Sequence, residues 1–192
     1  HFNNAANYNP TPYNAFDIVA TENNTEVIIT PSKSIVGHGA GIPFPVYLNR
    51  GQTWSALATS QAAAGHLWGS TVTANHAIAI TMTDDLLHGI TGCADLIGDQ
   101  VVPVDITGTE YVVVRGNLTN NGNRAFIMAT QNNTDIFIDG NPTPVATLAT
   151  GALYNHNILD ASSFISANYP VYVFQTSGFG CELGGALIPS VN

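Results

Sequence analysis

The segment IVATENNTEVIIT at residues 18–30 returns as IMATQNNTDIFID at residues 127–139, which is 109 residues further along the chain. Seven of the thirteen positions are identical, and Glu26/Asp135 and Val27/Ile136 pair like with like. A duplicated segment of this length indicates an internal repeat, and a repeat constrains the whole fold more strongly than any single element does. The chain therefore contains two related halves.

Each copy has the pattern of a β-hairpin, because β-branched apolar runs lie on both sides of an Asn-Asn pair. Asparagine tolerates the positive φ angles that tight primed turns require. The pattern predicts two-residue turns at Asn23-Asn24 and at Asn132-Asn133, with Ile18 facing Ile29 across the first hairpin. Both faces are apolar near the base of each hairpin, so we expect the hairpins to be buried between layered sheets.

The rest of the chain favours an all-β fold. Short strand patterns alternate with turn signals, no amphipathic helix of any length is present, and residues 73–83 correspond to residues 166–176 in the second half. We predict a sandwich-like double sheet built from two pseudosymmetric repeats. Its parts are an extended N-terminal arm (residues 1–14), one β repeat (15–104) and a second β repeat (105–192), packed as one compact domain.

Charged residues are scarce in this chain. They make up 9% of the sequence and give a net charge of −9, whereas about 25% is typical of soluble domains. Lys33 is the only lysine, and the three arginines are dispersed, so nucleic acid is excluded as a partner. A surface of neutral polar residues is typical of exported proteins, and no apolar run reaches the roughly 18 residues of a transmembrane segment. We expect an extracellular or cell-surface location, and a chain that is a processed product or a fragment.

The two cysteines occupy matching places in the two halves. Cys93 and Cys181 each follow a glycine and precede an apolar segment that contains proline. A disulfide between them is the favoured interpretation in a secreted protein. Two small buried thiols are the alternative.

Four segments resemble the IgGFc-binding protein N-terminal domain family. They are ATENNTEVIITP (20–31), VYLNRGQTW (46–54), CADLIGDQVVPV (93–104) and TGTEYVVV (107–114). The chain departs from the family pattern at Cys93-Ala94-Asp95, where we expect Cys-Asp-His. The resemblance implies an extracellular, non-enzymatic module for contacts at a surface or in a matrix. It does not by itself imply that this chain binds immunoglobulin.

The strongest candidate for a metal site is an acidic stretch that contains glycine. Asp84, Asp85, Asp95 and Asp99 supply oxygen ligands of the kind that Ca²⁺ prefers, and a solvated acidic loop is the alternative. The six histidines lack zinc-site spacing, and no nucleophile elbow or phosphate-binding loop is present. We expect no catalytic residue and no cofactor other than this weak calcium candidate.

Three sequons make Asn23, Asn117 and Asn132 candidates for glycosylation. Two of them lie at the predicted hairpin tips, where turn formation alone explains the asparagines.

Two functions follow from these features. The first is a structural or adhesive surface protein, which self-associates as the repeating subunit of a fibre through its N-terminal arm or its sheet edges. The second is a module of a larger adhesin that binds surface proteins or glycans through an aromatic platform. The platform candidates are Tyr8, Tyr13, Trp54 and Trp68.

Overall fold

A computed structural model describes residues 2–5, 7–88, 93–119 and 122–191. Nearly all of the elements in these ranges are strands, and the two helices found there are single 3-10 turns at Ala63–Gly65 and Val104–Ile106. The prediction of an all-β, sandwich-like fold is confirmed. Within the described ranges, neither helix has the length or apolar character that crossing a membrane requires.

The chain divides into two compact units. The first contains the described residues up to His88 together with Leu96–Val101, and the second contains Cys93–Asp95 and the described residues from Val102 onward. The short segment Cys93–Asp95 thus belongs to the second unit although it lies within the first sequence repeat.

The first unit contains two antiparallel sheets. Its strands are β1 (Asn3–Asn4), β2 (Asn14–Ala20), β3 (Thr25–Thr30), β4 (Phe44–Leu48), β5 (Thr53–Leu57), β6 (Thr71–Ala74), β7 (Ile78–His88) and β8 (Asp95–Val101). One sheet has the order β1-β7-β2-β5, with β8 also paired to β7, and the other has the order β4-β3-β6. Ile18 of β2 and Val27 and Ile29 of β3 meet in one core cluster, so the two sheets pack face to face.

The second unit is organised around one long strand. Its strands are β9 (Gly108–Val114), β10 (Asn117–Leu118), β11 (Arg124–Ala129), β12 (Thr134–Ile138), β13 (Ala146–Leu148), β14 (Leu153–Asn157), β15 (Ser162–Gly180) and β16 (Glu182–Leu187). The first part of β15 pairs with β12 and β9, and its later part pairs with β11, β16 and β10. Ile127, Ile136 and Ile165 lie together in the core of this unit.

The two units have the same strand register at every connection between repeated elements. The residue pairs that match, first unit before second, are Ala20/Ile78 with Ala129/Val171, Val27/Ala74 with Ile136/Ala167, Val27/Val46 with Ile136/Ala146, and Ile18/Trp54 with Ile127/Tyr154. β6 and β7 therefore correspond to the two parts of β15. The internal repeat in the sequence is a repeat of three-dimensional structure.

The hairpin prediction is wrong. β2 pairs with β5 and β7, and β3 pairs with β4 and β6, so the strands beside Asn23-Asn24 belong to different sheets. The strands beside Asn132-Asn133 likewise do not pair with each other. A two-residue primed turn commonly needs positive φ at both positions, whereas only Asn24 (φ 58°) and Asn133 (φ 59°) have it. The first copy of the repeated segment is an arch that carries the chain from one sheet to the other. The second copy connects β11 and β12, two strands of one sheet that are separated by β15.

Candidate binding surfaces

The N-terminal arm lies against its own unit through a buried polar cluster. The Asn4 side-chain Nδ2 donates to Asp84 Oδ1 at 2.9 Å, and His66 Nδ1 lies 3.0 Å from Asp84 Oδ2. His66 Nε2 lies 3.1 Å from Asn4 Oδ1, so the three side chains close a ring of hydrogen bonds. All three residues are buried. The cluster fixes the arm, because a buried polar group is stable only with its partners in place.

The chemistry of this cluster is structural. Asn4 Nδ2 also donates to the Asp85 carbonyl at 2.6 Å, which leaves Asn4 Oδ1 as the acceptor that faces His66. Both ring nitrogens of His66 therefore face acceptors, and the ring has no nitrogen lone pair directed at a substrate. The His66–Asp84 pair thus serves to anchor β1.

A second His pair crosses the second unit. His156 Nε2 of β14 lies 2.9 Å from Ser163 Oγ of β15, and the Ser163 side chain is buried. Burial lowers the pKa of His156, and the nearby Asp139 carboxylate partly opposes that shift. A buried serine hydroxyl is shielded from an external substrate, so the contact ties two strands together.

Asparagine side chains brace the arches of both units in the same way. Asn75 Oδ1 accepts from the Glu26 backbone N–H at 2.8 Å, and Asn168 Oδ1 accepts from the Asp135 N–H at 2.8 Å. The amide nitrogens of these two asparagines donate to the carbonyls of Asn24 and Asn133, at 3.4 and 3.1 Å. Side chains of this type replace missing main-chain partners in turns. The repeated NNT segment is thus held by a distant asparagine.

Three of the four predicted calcium ligands, Asp84, Asp95 and Asp99, accept hydrogen bonds from separate partners within the chain. Asp84 is buried against the arm, Asp95 Oδ2 accepts from the Leu183 N–H at 2.8 Å, and Asp99 Oδ1 accepts from the adjacent Gln100 N–H at 2.8 Å. Burial raises the pKa of Asp85, with further contributions from the charges of Asp84 and Asp17. In the described part of the chain, these aspartates do not appear in any group of three or more metal-ligand side chains. Calcium binding here stays a prediction.

The structure joins Cys93 and Cys181 in a disulfide, with the two Cα atoms 5.6 Å apart. Among the described residues, these cysteines and Glu182 form the one group that has the ligand spacing of a metal site. Because the two sulfurs are bonded to each other, they are not the thiolates that a zinc ion requires. The bond ties the segment Cys93–Asp95 to the start of β16.

The three predicted glycosylation sites, Asn23, Asn117 and Asn132, are exposed. Their modification stays a prediction. The threonines of the two repeated sequons, Thr25 and Thr134, are fully buried and donate to the carbonyls of Glu22 and Gln131, at 2.9 and 2.8 Å. Both threonines therefore have a structural role in closing the arch.

The predicted platform aromatics differ in exposure. Tyr8 is exposed, whereas Tyr13, Trp54 and Trp68 are only part-exposed. Trp54 lies behind a stack of the His38 and Phe44 rings, whose centroids are 3.5 Å apart, with Phe44 and Trp54 5.5 Å apart. The structure thus gives Trp54 a supporting position beneath the β3–β4 loop.

That loop presents apolar side chains to solvent. Val36 and Ile42 are 63% and 64% exposed, on a segment that the buried Ile35 anchors to the core. We call the set Val36, His38, Ile42 and Phe44 the loop surface. This surface was not predicted from the sequence, although Val36, Ile42 and Phe44 between Pro31 and Pro45 were a visible signal.

One further feature escaped the sequence analysis, namely an edge strand in the first unit. Among the described residues, β6 pairs with β3 alone, whereas the equivalent part of β15 pairs with β12 on one side and β9 on the other. The signal was that the second copy of the repeat is preceded by the strand pattern GTEYVVV and the first copy is not.

Comparison with known families agrees with the resemblance. A family model described as IgGFc binding protein matches residues 2–187, which is nearly the whole chain. Domains of this family are extracellular binding modules, and the Cys93–Cys181 disulfide fits an oxidising compartment. No curated protein and no solved structure matches the chain.

Proposed function

The chain belongs to the IgGFc binding protein family, and we propose that it is a non-enzymatic, adhesive module of an extracellular surface that binds other proteins. Its sheets form rigid scaffolds whose loops and edges make the contacts. The observation that supports this proposal most directly is the loop surface, in which the exposed Val36 and Ile42 are close in sequence to the stacked rings of His38 and Phe44.

The physical argument concerns the cost of ordering side chains. Apolar groups that are already fixed on a packed loop lose little conformational entropy when a partner covers them, so most of the hydrophobic gain is retained as affinity. The main chain of the loop surface is fixed by mutual hydrogen bonds between Ile35 and His38 and by a bond from the Val36 N–H to the Leu57 carbonyl at 2.9 Å. The same reasoning favours proteins over glycans, because glycan sites rely more on polar groups around an open aromatic ring.

The test is a pair of matched double variants. Val36→Ser with Ile42→Ser removes apolar area from the loop surface, and Val104→Ser with Ile106→Ser removes similar exposed area from the second unit. Surface plasmon resonance would use the Fc fragment of immunoglobulin G, which the family description names, and a panel of purified matrix proteins and glycans. We expect saturable binding to a protein that only the first double variant weakens, by about tenfold or more. Equal effects of both variants, or binding to glycans alone, would contradict the proposal.

A fibre subunit is the second candidate, supported by the low charge of the chain and by its edge strands. The arm of β1 lies on its own unit, so assembly through the arm requires the Asn4–His66–Asp84 cluster to open first. Light scattering of the purified chain separates the two candidates: a stable monomer favours the binding module, and growing polymers favour the fibre.

A further inference from the structure

The comparison of the two units leads us to propose that the outer edge of β6 binds an extended peptide strand of a partner protein, in the place that β9 occupies in the second unit. The inference rests on the proposed protein-binding function, and it assigns that function a second contact besides the loop surface. It follows from three observations on equivalent residues.

The first observation is the register. Ile29 pairs with Val72 across β3 and β6, and Ile138 pairs with Ile165 across β12 and β15, at equivalent positions of the repeat. On its other side Ile165 pairs with Tyr111 of β9. Val72 therefore occupies the position against which a β9-like strand would lie in the first unit.

The second observation is burial. The inward-facing residues Ile165, Val171 and Val173 of the second unit are fully buried, at 0% exposure. Their equivalents in the first unit, Val72, Ile78 and Ile80, are only partly buried although they pack against the same kind of core. β9 accounts for the difference at Ile165 and Val171, because its Tyr111 pairs with Ile165 and Tyr111 Oη donates to the Val171 carbonyl at 2.5 Å.

The third observation is the direction of the main-chain groups. The Asn75 N–H donates to the Glu26 carbonyl at 3.2 Å, so residues 75 and 26 are a hydrogen-bonded pair. Such pairs alternate along antiparallel strands, which turns the N–H and C=O groups of Thr73 toward β3 and those of Val72 and Ala74 toward the outer edge. The second unit shows the same alternation. The Asp139 N–H donates to the Phe164 carbonyl at 2.8 Å, so the N–H and C=O groups of the next residue, Ile165, point toward β9.

The occupant is defined by β9 itself. It is an extended segment, antiparallel to β6, with an aromatic residue opposite Val72 and a β-branched residue two positions further on. The β6 edge carries no ionisable side chain, since its sequence is TVTA and both threonines and Ala74 are exposed. A strand with alternate apolar residues therefore fits without needing a charge that complements the edge. Main-chain hydrogen bonds supply the affinity, and the two inward side chains supply selectivity.

The experiment uses the full chain, labelled with ¹⁵N, and a synthetic peptide with the sequence GTEYVVVR of residues 108–115. The second unit already holds its own β9, so the peptide reports on the first unit. We expect amide exchange at Val72 and Ala74 to slow when the peptide binds. A control peptide in which serine replaces the tyrosine and the middle valine should lack this effect.

Two variants test the edge itself. Ala74→Pro removes an outward N–H at a position where an edge strand tolerates proline, and Ala74→Ser keeps that N–H. We expect Ala74→Pro to weaken the affinity for the peptide by about tenfold or more, because the loss of one main-chain hydrogen bond of ~1.4 kcal/mol lowers a binding constant by a factor of ten. Ala74→Ser should bind as the unmodified chain does, and unchanged amide signals of Val27 and Ile29 would show that the proline variant is folded.

Three results would overturn the inference. The first is that millimolar peptide does not protect the amides of Val72 and Ala74 from exchange. The second is that both Ala74 variants bind the peptide with equal affinity. The third is that these amides are protected at high protein concentration without peptide, which would make a second copy of the chain the occupant. If the loop-surface variants lose protein binding while Ala74→Pro binds the peptide normally, only the assignment of the β6 edge is wrong. If peptide binding follows the prediction but no extracellular protein binds, the proposed function is wrong.

Discussion

Replacing Tyr111 by Phe should destabilise the second unit selectively, because the tyrosine hydroxyl anchors β9. Tyr111 is 2% exposed, its Oη donates to the Val171 carbonyl at 2.5 Å, and it accepts from the Gly108 N–H at 3.0 Å. The substitution keeps the ring and removes these two bonds, together with the longer contact of 3.2 Å between Tyr111 Oη and the Gly108 carbonyl. Two lost hydrogen bonds, with one carbonyl left buried and unsatisfied, cost about 2–3 kcal/mol.

A loss of this size is readily measured. For a unit of roughly 100 residues, each kcal/mol lowers Tm by about 4–8 °C, so the expected shift is about 10–20 °C. Both tryptophans lie in the first unit, so fluorescence does not follow the second unit directly. Urea unfolding should instead be followed through the NMR signals of core residues such as Val173.

Tyr169→Phe provides the matched control, because this tyrosine is 41% exposed. It should change the free energy of unfolding by less than about 0.5 kcal/mol. If Tyr111→Phe has an equally small effect, β9 is not held as described, and the argument from its equivalent position on β6 is lost with it.

Three further predictions concern other parts of the molecule. Asn133→Ala should cost about 1 kcal/mol in the free energy of unfolding because φ is 59° there, whereas Asn133→Gly should be nearly neutral; equal losses would contradict the strain argument. Asn4→Ala should remove the hydrogen bonds that Asn4 makes with Asp84 and His66, and should speed exchange of the Ala5 amide, which donates to the Leu86 carbonyl, by at least about tenfold; unchanged exchange would show that the cluster does not hold the arm. Burial, followed by the charge of Asp105 and by Tyr111, raises the pKa of Tyr172 to about 12 from its ordinary value of 10.0. Tyr172 therefore contributes stability that is complete below pH 10 and is lost as pH rises toward 12, and Tyr172→Phe should flatten that part of a thermal-unfolding profile.

The sequence repeat was sufficient to predict the fold class and the correspondence between the two halves. It was not sufficient to predict which strands pair. Alternating apolar residues on both sides of Asn23-Asn24 suit a hairpin or an arch equally well, because both bring Ile18, Val27 and Ile29 into contact. What selects the arch is the set of partners that β2 and β3 find far away along the chain, and no local pattern records those partners.

The candidate site was harder to predict for the same reason. The outer edge of β6 was identified from β9, the strand that lies beside the equivalent part of β15 in the second unit. The separation between Val72 and Tyr111 along the chain hides that relation. The contacts of the histidines were equally hard to predict, because His66 reaches Asp84 and Asn4 only when the arm lies against the first unit. Exposed apolar residues such as Val36 and Ile42 were visible in the sequence, but their exposure depends on the loop that carries them.

Hydrogen exchange of two amides in the chain alone tests the central claim most directly, namely that the units are equivalent and that one of them leaves an edge uncovered. Val72 and Ile165 are equivalent β-branched residues, so their intrinsic exchange rates are similar. The Ile165 amide, bonded to β9, should exchange only through large-scale opening. The Val72 amide, turned outward from β6, should exchange at least about a thousandfold faster. Equal protection of the two amides would show that the β6 edge is already covered, and would contradict the account.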